Sequence, residues 1–366
     1  MKDKKKNPYI MIAAGGSGGH LFSADSVSSE LRKREYQVIL LTDKRVKNLL
    51  NNFPADKIII IPSDTFTNKG IIKWPLSAIK IFMGLVISLF WVIWSRPKLA
   101  IGFGGYPSLT PLIASKLLGS KIIIHEQNTV FGRANSFLSY FADGISNGFK
   151  NTNDRSQNLL NYQNFIGNPV REEILKFKDK KKIFDEENIN LLIFGGSQGA
   201  AFFTELSYKI FNYFPQKTLE NFVVNQQCKD EDINFLKDFY CEKNIRHNVS
   251  SFFYDLPELI HKSDIIISRA GASTLSEIAI IGKPCIFIPL PNTLDGDQES
   301  NARNFELSNA AIVYNQNSIN PKKISNKILE LINDKNKREE LSKNIKLFGN
   351  PSASAKIADF AENIIG

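Results

Sequence analysis

Cysteine is scarce. The chain of 366 residues has three, Cys228, Cys241 and Cys285, too scattered for a disulfide framework. No Cys-x-x-Cys occurs, which excludes a zinc ribbon and a thioredoxin-type site and points to a reducing compartment. Histidine is nearly as rare, with four in all. None stands in a His-Glu-x-x-His pattern or another metal-ligand spacing, so we expect no metal centre. Apolar runs are short, with one exception between Lys80 and Arg96. The chain is 43% hydrophobic and 23% charged, ordinary for a globular protein, and this excludes a disordered, collagen-like or multi-span membrane chain. The N-terminal lysines precede an apolar stretch of only about six residues that ends in glycines, not in a cleavage site, so no signal peptide is expected. Negative charge is in deficit. Lys plus Arg number 46 against 37 for Asp plus Glu, a net +9, which suits an anionic partner without choosing among nucleic acid, a membrane face and phosphorylated substrates.

What is present is an alternation of short β-branched runs and helical patterns. Tyr9–Ala14, Gln37–Thr42, Lys57–Ile61, Leu99–Gly102 and Lys121–Ile124 read as buried strands. A polar run near 150–163 interrupts the series. It resumes at Ile189–Phe194, Phe222–Val224, Ile265–Ser268 and Cys285–Pro289. The pattern predicts two parallel-sheet α/β domains that meet near Gly167-Asn168-Pro169 or in the Lys-rich stretch beyond. A weak internal repeat supports this: IAAGGSGGH at 12–20 and LIFGGSQGA at 192–200 both run from an apolar strand into a glycine turn.

One segment stands apart. From Ile81 to Ser95 there are fifteen residues without a charge, bracketed by Lys80 and Arg96. That is shorter than the roughly 20 apolar residues a spanning helix needs. A core helix and a membrane-surface helix both fit. Trp74, Trp91 and Trp94, with Lys69, Lys73, Lys80, Arg96 and Lys98 around them, make an interfacial pattern.

Five stretches carry candidate chemistry. Gly15-Gly16-Ser17-Gly18-Gly19-His20 follows a strand, so its backbone N–H groups and the next helix's dipole can face an anion. A dinucleotide fingerprint fits poorly, because Leu21 stands where its third glycine belongs, although Asp43 ends the second strand. Gly102–Ser108 is a second glycine turn at the same sheet edge, and the two side by side suit a diphosphate. His125-Glu126-Gln127-Asn128 is expected just past a strand, at the crevice edge. Arg269–Glu277 has two readings. Thr274-x-x-Glu277 is a capping box, yet a helix start with small residues accepts phosphates, and a carboxylate one turn in can hold ribose hydroxyls. Asp295-Gly296-Asp297 could hold a divalent ion or simply open a helix.

These stretches together, with GNPVR at 167–171, GGSQGA at 195–200 and DxDQxxNA at 295–302, resemble in order and spacing the MurG family of peptidoglycan glycosyltransferases, glycosyltransferase family 28. The resemblance spans essentially the whole chain. It implies an α/β GT-B fold of two Rossmann-like domains facing a cleft: 1–168 for the acceptor and the membrane, 169–348 for UDP-GlcNAc, and a C-terminal helix at 349–366 crossing back to the first domain. The implied reaction is inverting transfer of GlcNAc from UDP-GlcNAc to lipid I, giving lipid II, with no cofactor required. It implies that Ser17, Gly18, Gly19 and Asn128 touch the donor. Arg171 and Ser197 bind donor groups, Phe253 packs near uracil, Ala272, Ser273, Thr274, Leu275 and Ser276 wrap the nucleotide, Glu277 binds ribose, and Gln298 binds the sugar. Gly16, Gly104, Gly105 and Tyr106 would hold the acceptor diphosphate. His20 is the expected general base, with Glu126 and His125 as alternatives. Ser17, Phe253 and Asp297 depart from the common family residues without removing a required group. The implied partners are the cytoplasmic face of the bacterial inner membrane and other cell-wall synthesis proteins, not nucleic acid. Two rivals are a diacylglycerol-dependent glycolipid synthase of the same fold and a non-catalytic membrane-surface scaffold.

Overall fold

The computed structural model describes residues 8–65, 72, 74–152, 163–180 and 187–366, without the side chains of Gln163 and 196–200. The basic tail at 1–7, Lys69 and Lys73 of the expected rim, and most of the polar run near 150–163 lie outside the described residues. The chain forms two compact units, residues 1–172 with 350–366, and residues 173–349.

The first unit is a seven-stranded sheet in the order β3-β2-β1-β4-β5-β6-β7. The strands are β1 Tyr9–Ala13, β2 Gln37–Thr42, β3 Lys57–Ile60, β4 Leu99–Gly102, β5 Lys121–Glu126, β6 Gly144–Asn147 and β7 Gln163–Phe165. All pairs are parallel. Strands covered on both faces read as continuous apolar runs, and Ile10–Ala13, Val38–Leu41 and Ile122–Ile124 are wholly buried. The polar strands β6 and β7 were not expected from the sequence, because neither has such a run. β7 is an edge strand, held by β6 alone.

The second unit has six parallel strands in the order β10-β9-β8-β11-β12-β13. They are β8 Ile189–Phe194, β9 Phe222–Gln227, β10 Arg246–Ser250, β11 Ile265–Ser268, β12 Cys285–Phe287 and β13 Ile312–Val313. The unexpected strands β10 and β13 are again the edges. Each sheet therefore grows outward in both directions from its first strand, with a switch point between β1 and β4 in one and between β8 and β11 in the other.

The segment after β7 stays with the first unit slightly longer than the expected boundary at 168. Ser23 and Ser26 of the helix Gly18–Lys33 donate to the carbonyls of Pro169 and Val170, at 3.3 and 2.9 Å. Arg171 stacks on Phe22 of the same helix, 4.9 Å from the ring centre.

The C-terminal helix Ala353–Ile365 is part of the first unit's core. It lies on the helix Gly18–Lys33, with Ile357, Ala358 and Ala361 fully buried. The Arg34 guanidinium pairs with both Asp359 and Glu362 at 2.7 Å. Ile357→Ala should destabilise the first unit by about 2–5 kcal/mol, the usual cost of emptying a buried aliphatic site. Urea unfolding followed by tryptophan fluorescence reads this directly, since Trp74, Trp91 and Trp94 all belong to that unit.

Candidate active site

In the first unit both glycine turns lie at the β1/β4 switch point, and they touch. A Cβ on Gly105, at φ +74°, would sit 2.8 Å from the Gly15 carbonyl oxygen, so only glycine allows the approach. Ser108 fastens the turns by donating to the carbonyls of Ala13 and Gly104, at 3.0 and 2.7 Å. Ser17 caps the helix Gly18–Lys33, its Oγ accepting from the His20 N–H.

The His20 ring stands between the turns. Its Nδ1 lies 3.1 Å from the Gly15 carbonyl and 3.1 Å from Ser17 Oγ. A carbonyl only accepts, so Nδ1 carries the proton, and in the neutral ring the lone pair is on Nε2. Nε2 faces Gly104, where a Cβ would come within 3.3 Å of it. A side chain at 104 would press on this nitrogen and on Asn135 Nδ2, 3.4 Å from the same point.

His125 and Glu126 are placed differently from the sequence expectation. Strand β5 does not end at Ile124; it continues through both residues and buries them. Both His125 nitrogens are engaged, Nδ1 with Ser146 Oγ at 2.9 Å and Nε2 with Asn168 Oδ1 at 3.1 Å. Burial holds its imidazole down at about 4. The Glu126 carboxylate accepts from the backbone N–H groups of Asn128 and Gly132, at 2.9 and 3.0 Å, and from Asn135 Nδ2 at 2.9 Å. Burial pushes its pKa up against those bonds. Glu126 is a splint for residues 127–135, and His125 a core contact. Neither is exposed to act as a base, whereas His20 is half-buried. Asn128 Nδ2 also donates to Glu126, at 3.2 Å.

Two residues near the first turn were missed as a pair. Buried Asp43 accepts from the Gly16 N–H at 3.2 Å, from Ser63 Oγ at 3.1 Å, and from Arg45. It therefore holds the glycine turn instead of facing a ribose. The Arg45 guanidinium lies over Gly16, its Nη2 3.3 Å from where a Cβ would be. A charged pair at Asp43-x-Arg45 just after a strand was the available signal.

In the second unit the candidates follow β8, β10, β11 and β12, and those after β8 and β11 flank the corresponding switch point. The helix Ala272–Ile281 follows β11 and is capped by Gly271. Thr274 is therefore inside the first turn and not at the cap, so Thr274-x-x-Glu277 is no capping box. Glu277 lies one turn further in and is buried. Leu275 and Ser276 also turn inward, the Ser276 hydroxyl donating to the Ala272 carbonyl at 2.8 Å. Ser273 and Thr274 are half-buried on the same turn. Gln298, in the first turn of the helix Asp297–Leu307, accepts through Oε1 from the N–H groups of Ala270 and Leu290, at 3.3 and 3.0 Å. That fixes its orientation and turns its NH₂ group away from both. Phe253 is 7% exposed, whereas its neighbour Tyr254 is 92% exposed. Ser197 lies in the first turn of the helix Gly196–Ile210; its side chain is outside those described. Asp297 opens its helix, and among the described residues no group of three or more His, Cys, Asp or Glu could hold a metal ion.

Comparison with known proteins separates the chemistries that this architecture can host. The model of the glycosyltransferase family 28 N-terminal domain matches residues 10–146, and that of the C-terminal domain matches residues 190–363. The chain belongs to glycosyltransferase family 28. Among its family relatives, a protein of Agrobacterium fabrum is 36% identical over 97% of this chain and 94% of its own length. One of Brucella suis is 33% identical over 97% and 94%. Both are named UDP-N-acetylglucosamine–N-acetylmuramyl-(pentapeptide) pyrophosphoryl-undecaprenol N-acetylglucosamine transferase. The crystal structure of Acinetobacter baumannii MurG superposes with a TM-score of 0.77 at 25% identity, covering 97% of this chain and 99% of that one. The calicheamicin glycosyltransferase CalG4 shares the GT-B fold, with a TM-score of 0.68 at 12% identity and 99% coverage of both chains. A UDP-N-acetylglucosamine 2-epimerase does so too, with a TM-score of 0.66 at 14% identity, covering 96% of this chain and 95% of its own. Fold alone therefore does not distinguish transfer from epimerisation; family membership makes the chain a glycosyltransferase.

The burial of His125 has a measurable consequence. Below its ordinary value of 6.5 the unfolded chain takes up a proton that the folded chain refuses until about 4. Stability is therefore lost as pH falls through that window, by about 3 kcal/mol when complete. His125→Gln should flatten this loss, read as urea midpoints at pH 7.5 and 4.5. An unchanged difference between the two midpoints would assign the acid sensitivity to another group.

Proposed function

We propose that this glycosyltransferase moves GlcNAc from UDP-GlcNAc to undecaprenyl-pyrophosphoryl-MurNAc-pentapeptide, lipid I, giving lipid II with inversion at the anomeric carbon. The first unit takes the acceptor and the second takes the donor. The observation that carries this reading is the His20 ring between two touching glycine turns, its Nδ1 at the Gly15 carbonyl and its Nε2 toward Gly104, in a chain of this family. The relatives' names supply the substrates.

His20 acts as general base on the acceptor hydroxyl, and the Gly15 carbonyl holds the required tautomer. Gly16, Gly104, Gly105 and Tyr106 bracket the acceptor diphosphate. Arg45, over Gly16, adds a cation at that turn. At the donor, the backbone N–H groups and dipole at the start of the helix Ala272–Ile281 stabilise the departing diphosphate. Glu277 anchors the ribose, and the oriented Gln298 amide offers its NH₂ group to the sugar.

The membrane side of this reading rests on the helix Trp74–Ser95, long enough at 22 residues to cross a bilayer by length and composition. Its packing is two-sided, with Leu85, Ile87, Leu89 and Trp91 half-buried against the core. Ser77, Gly84, Ser88, Val92 and Ser95 face the protein, while Phe82, Phe90 and Ile93 are 65%, 61% and 60% exposed. Gly84 permits the close seat, since a Cβ there would meet the Pro62 carbonyl oxygen at 2.4 Å. A core helix would present its large side chains inward. A continuous outward face of large apolar groups, Phe82, Val86, Phe90 and Ile93 among them, fits a helix lying on the cytoplasmic face of the inner membrane. Of the expected rim, Lys80 is paired with Asp64 at 3.3 Å, while Arg96 and Lys98 are exposed.

Two measurements test these assignments. With labelled UDP-GlcNAc and a lipid I analogue, His20→Ala should cut turnover by about 10²–10⁴-fold, with UDP-GlcNAc affinity near the parent's. A variant within about threefold of the parent would remove His20 from the base role. Replacing Phe82, Phe90 and Ile93 together by serine should release the protein from anionic vesicles without lowering its melting temperature. Parent binding should itself weaken with added salt. Loss of the cooperative melt in the triple variant would make the helix part of the core.

A further inference from the structure

Arg269 directly follows β11 and immediately precedes the turn that starts the helix Ala272–Ile281. It is only 6% exposed. A guanidinium cannot shed its charge at physiological pH, so burying one demands compensation. Here no carboxylate provides it among the described residues. Nη1 donates to the carbonyls of Ile288 and Pro289, at 2.9 and 3.3 Å, and buried Nε has no partner. Its other neighbours are rings: Cζ lies 4.8 Å from the centre of Phe202 and 5.1 Å from that of Phe203. Burial alone acts on its pKa, lowering it to about 10. The other buried arginine of this unit, Arg338, is different. It also donates to two carbonyls, those of Leu331 and Ile332, but Asp264, Asp334 and Glu339 act on its charge.

The contacts of Arg269 join three segments. Phe202 and Phe203 belong to the helix that follows β8 and the GGSQGA turn. Ile288 and Pro289 belong to the loop after β12. Arg269 itself introduces the helix that carries Ala272 to Glu277. Beside it, Gln298 ties Ala270 to Leu290, and Asn301 Nδ2 donates to the Ala270 carbonyl at 3.2 Å. One unneutralised cation thus stands at the junction of all three loops on the carboxyl edge of this sheet.

We propose that Arg269 is a positioning residue of the donor site, whose unneutralised charge favours a nucleoside diphosphate over the uncharged nucleoside. The inference rests on the reading of the second unit as the donor-binding unit. The cation raises the potential of the turn where the diphosphate settles, and its two carbonyl bonds fix that turn against the loop leading to Gln298. Preorganised charge of this kind acts on the ligand's phosphates and is indifferent to its base and ribose.

The test compares UDP and uridine as probes, by calorimetric titration of the full-length protein and of Arg269→Met, Arg269→Gln and Arg269→Lys. The parent should prefer UDP. The Met and Gln variants should lose about tenfold or more in UDP affinity but less than about threefold for uridine. Lys, which keeps the charge, should restore the preference in large part while still lowering kcat/KM, because an ammonium cannot reproduce the planar fork. If UDP and uridine weaken by the same factor, or if neither changes, Arg269 is only a packing element and the proposal falls. If one neutral variant fails to fold, the ratio in the other and in Lys decides. A parent that binds neither probe would overturn the donor-site reading itself, a result distinct from a parent that binds UDP with a preference no variant disturbs.

Discussion

Parallel strands can be joined only by crossovers over the sheet, and those crossovers are right-handed. A sheet that starts in the middle and grows both ways must therefore reverse its winding once. At that strand pair the loops leave toward opposite faces and open a crevice above the carboxyl ends. In each unit here, the glycine turn after the first strand and the turn after its inner neighbour flank that one place. The strands below are apolar on both sides, so polar groups collect at the edge where the apolar runs end. The first unit's edge carries Gly16 to His20 and Gly104 to Tyr106. The second carries the GGSQGA turn and Arg269 to Glu277.

At these edges the buried ionisable groups act mainly as splints. Asp43 holds the Gly16 amide, Glu126 gathers the amides of residues 128 and 132, and Arg269 gathers the carbonyls of 288 and 289. An unsatisfied polar group in such a place costs more than a typical hydrogen bond contributes, so each splint gives its loop essentially one conformation. The groups differ in charge balance. Asp43 has Arg45 as a partner, and the raised pKa of Glu126 eases the neutral form, while Arg269 has carbonyls and aromatic faces alone.

The helix Trp74–Ser95 follows a different rule. Its serines and its glycine lie on one stripe and allow a close approach to the sheet layer. Ser88 and Ser95 satisfy their hydroxyls within the helix, on the Gly84 and Trp91 carbonyls. Lys57 sits over the rings of Trp91 and Trp94, 3.7 Å from the latter, and Tyr9 packs on Trp94. The end of the helix is thereby anchored, while Phe82, Phe90 and Ile93 remain outside.

Much was legible in the residue order because the signals are local. Short β-branched runs with glycine turns behind them specified the parallel α/β class and most inner strands, and the spaced motifs pointed to the family. Of the edge strands only Lys57–Ile60 was legible; Arg246–Ser250 and Gln163–Phe165 have no apolar run and pair only because a neighbour is already in place. Nor was the fate of HEQN. The sequence shows four polar residues after an apolar run, but only the packing of β5 against β6 and the reach of Asn168 draw His125 and Glu126 into the interior. The same holds for Thr274-x-x-Glu277, whose spacing permits a cap that Gly271 supplies instead. Composition also left the apolar helix open between core and surface. Which face of a helix turns inward depends on what it packs against, and that partner, the layer containing Pro62 and Thr110, lies elsewhere in the chain. Sequence determined which segments form and what chemistry they carry; tertiary structure decided which polar groups become splints and which stay available, because burial and partnership depend on residues distant in the chain.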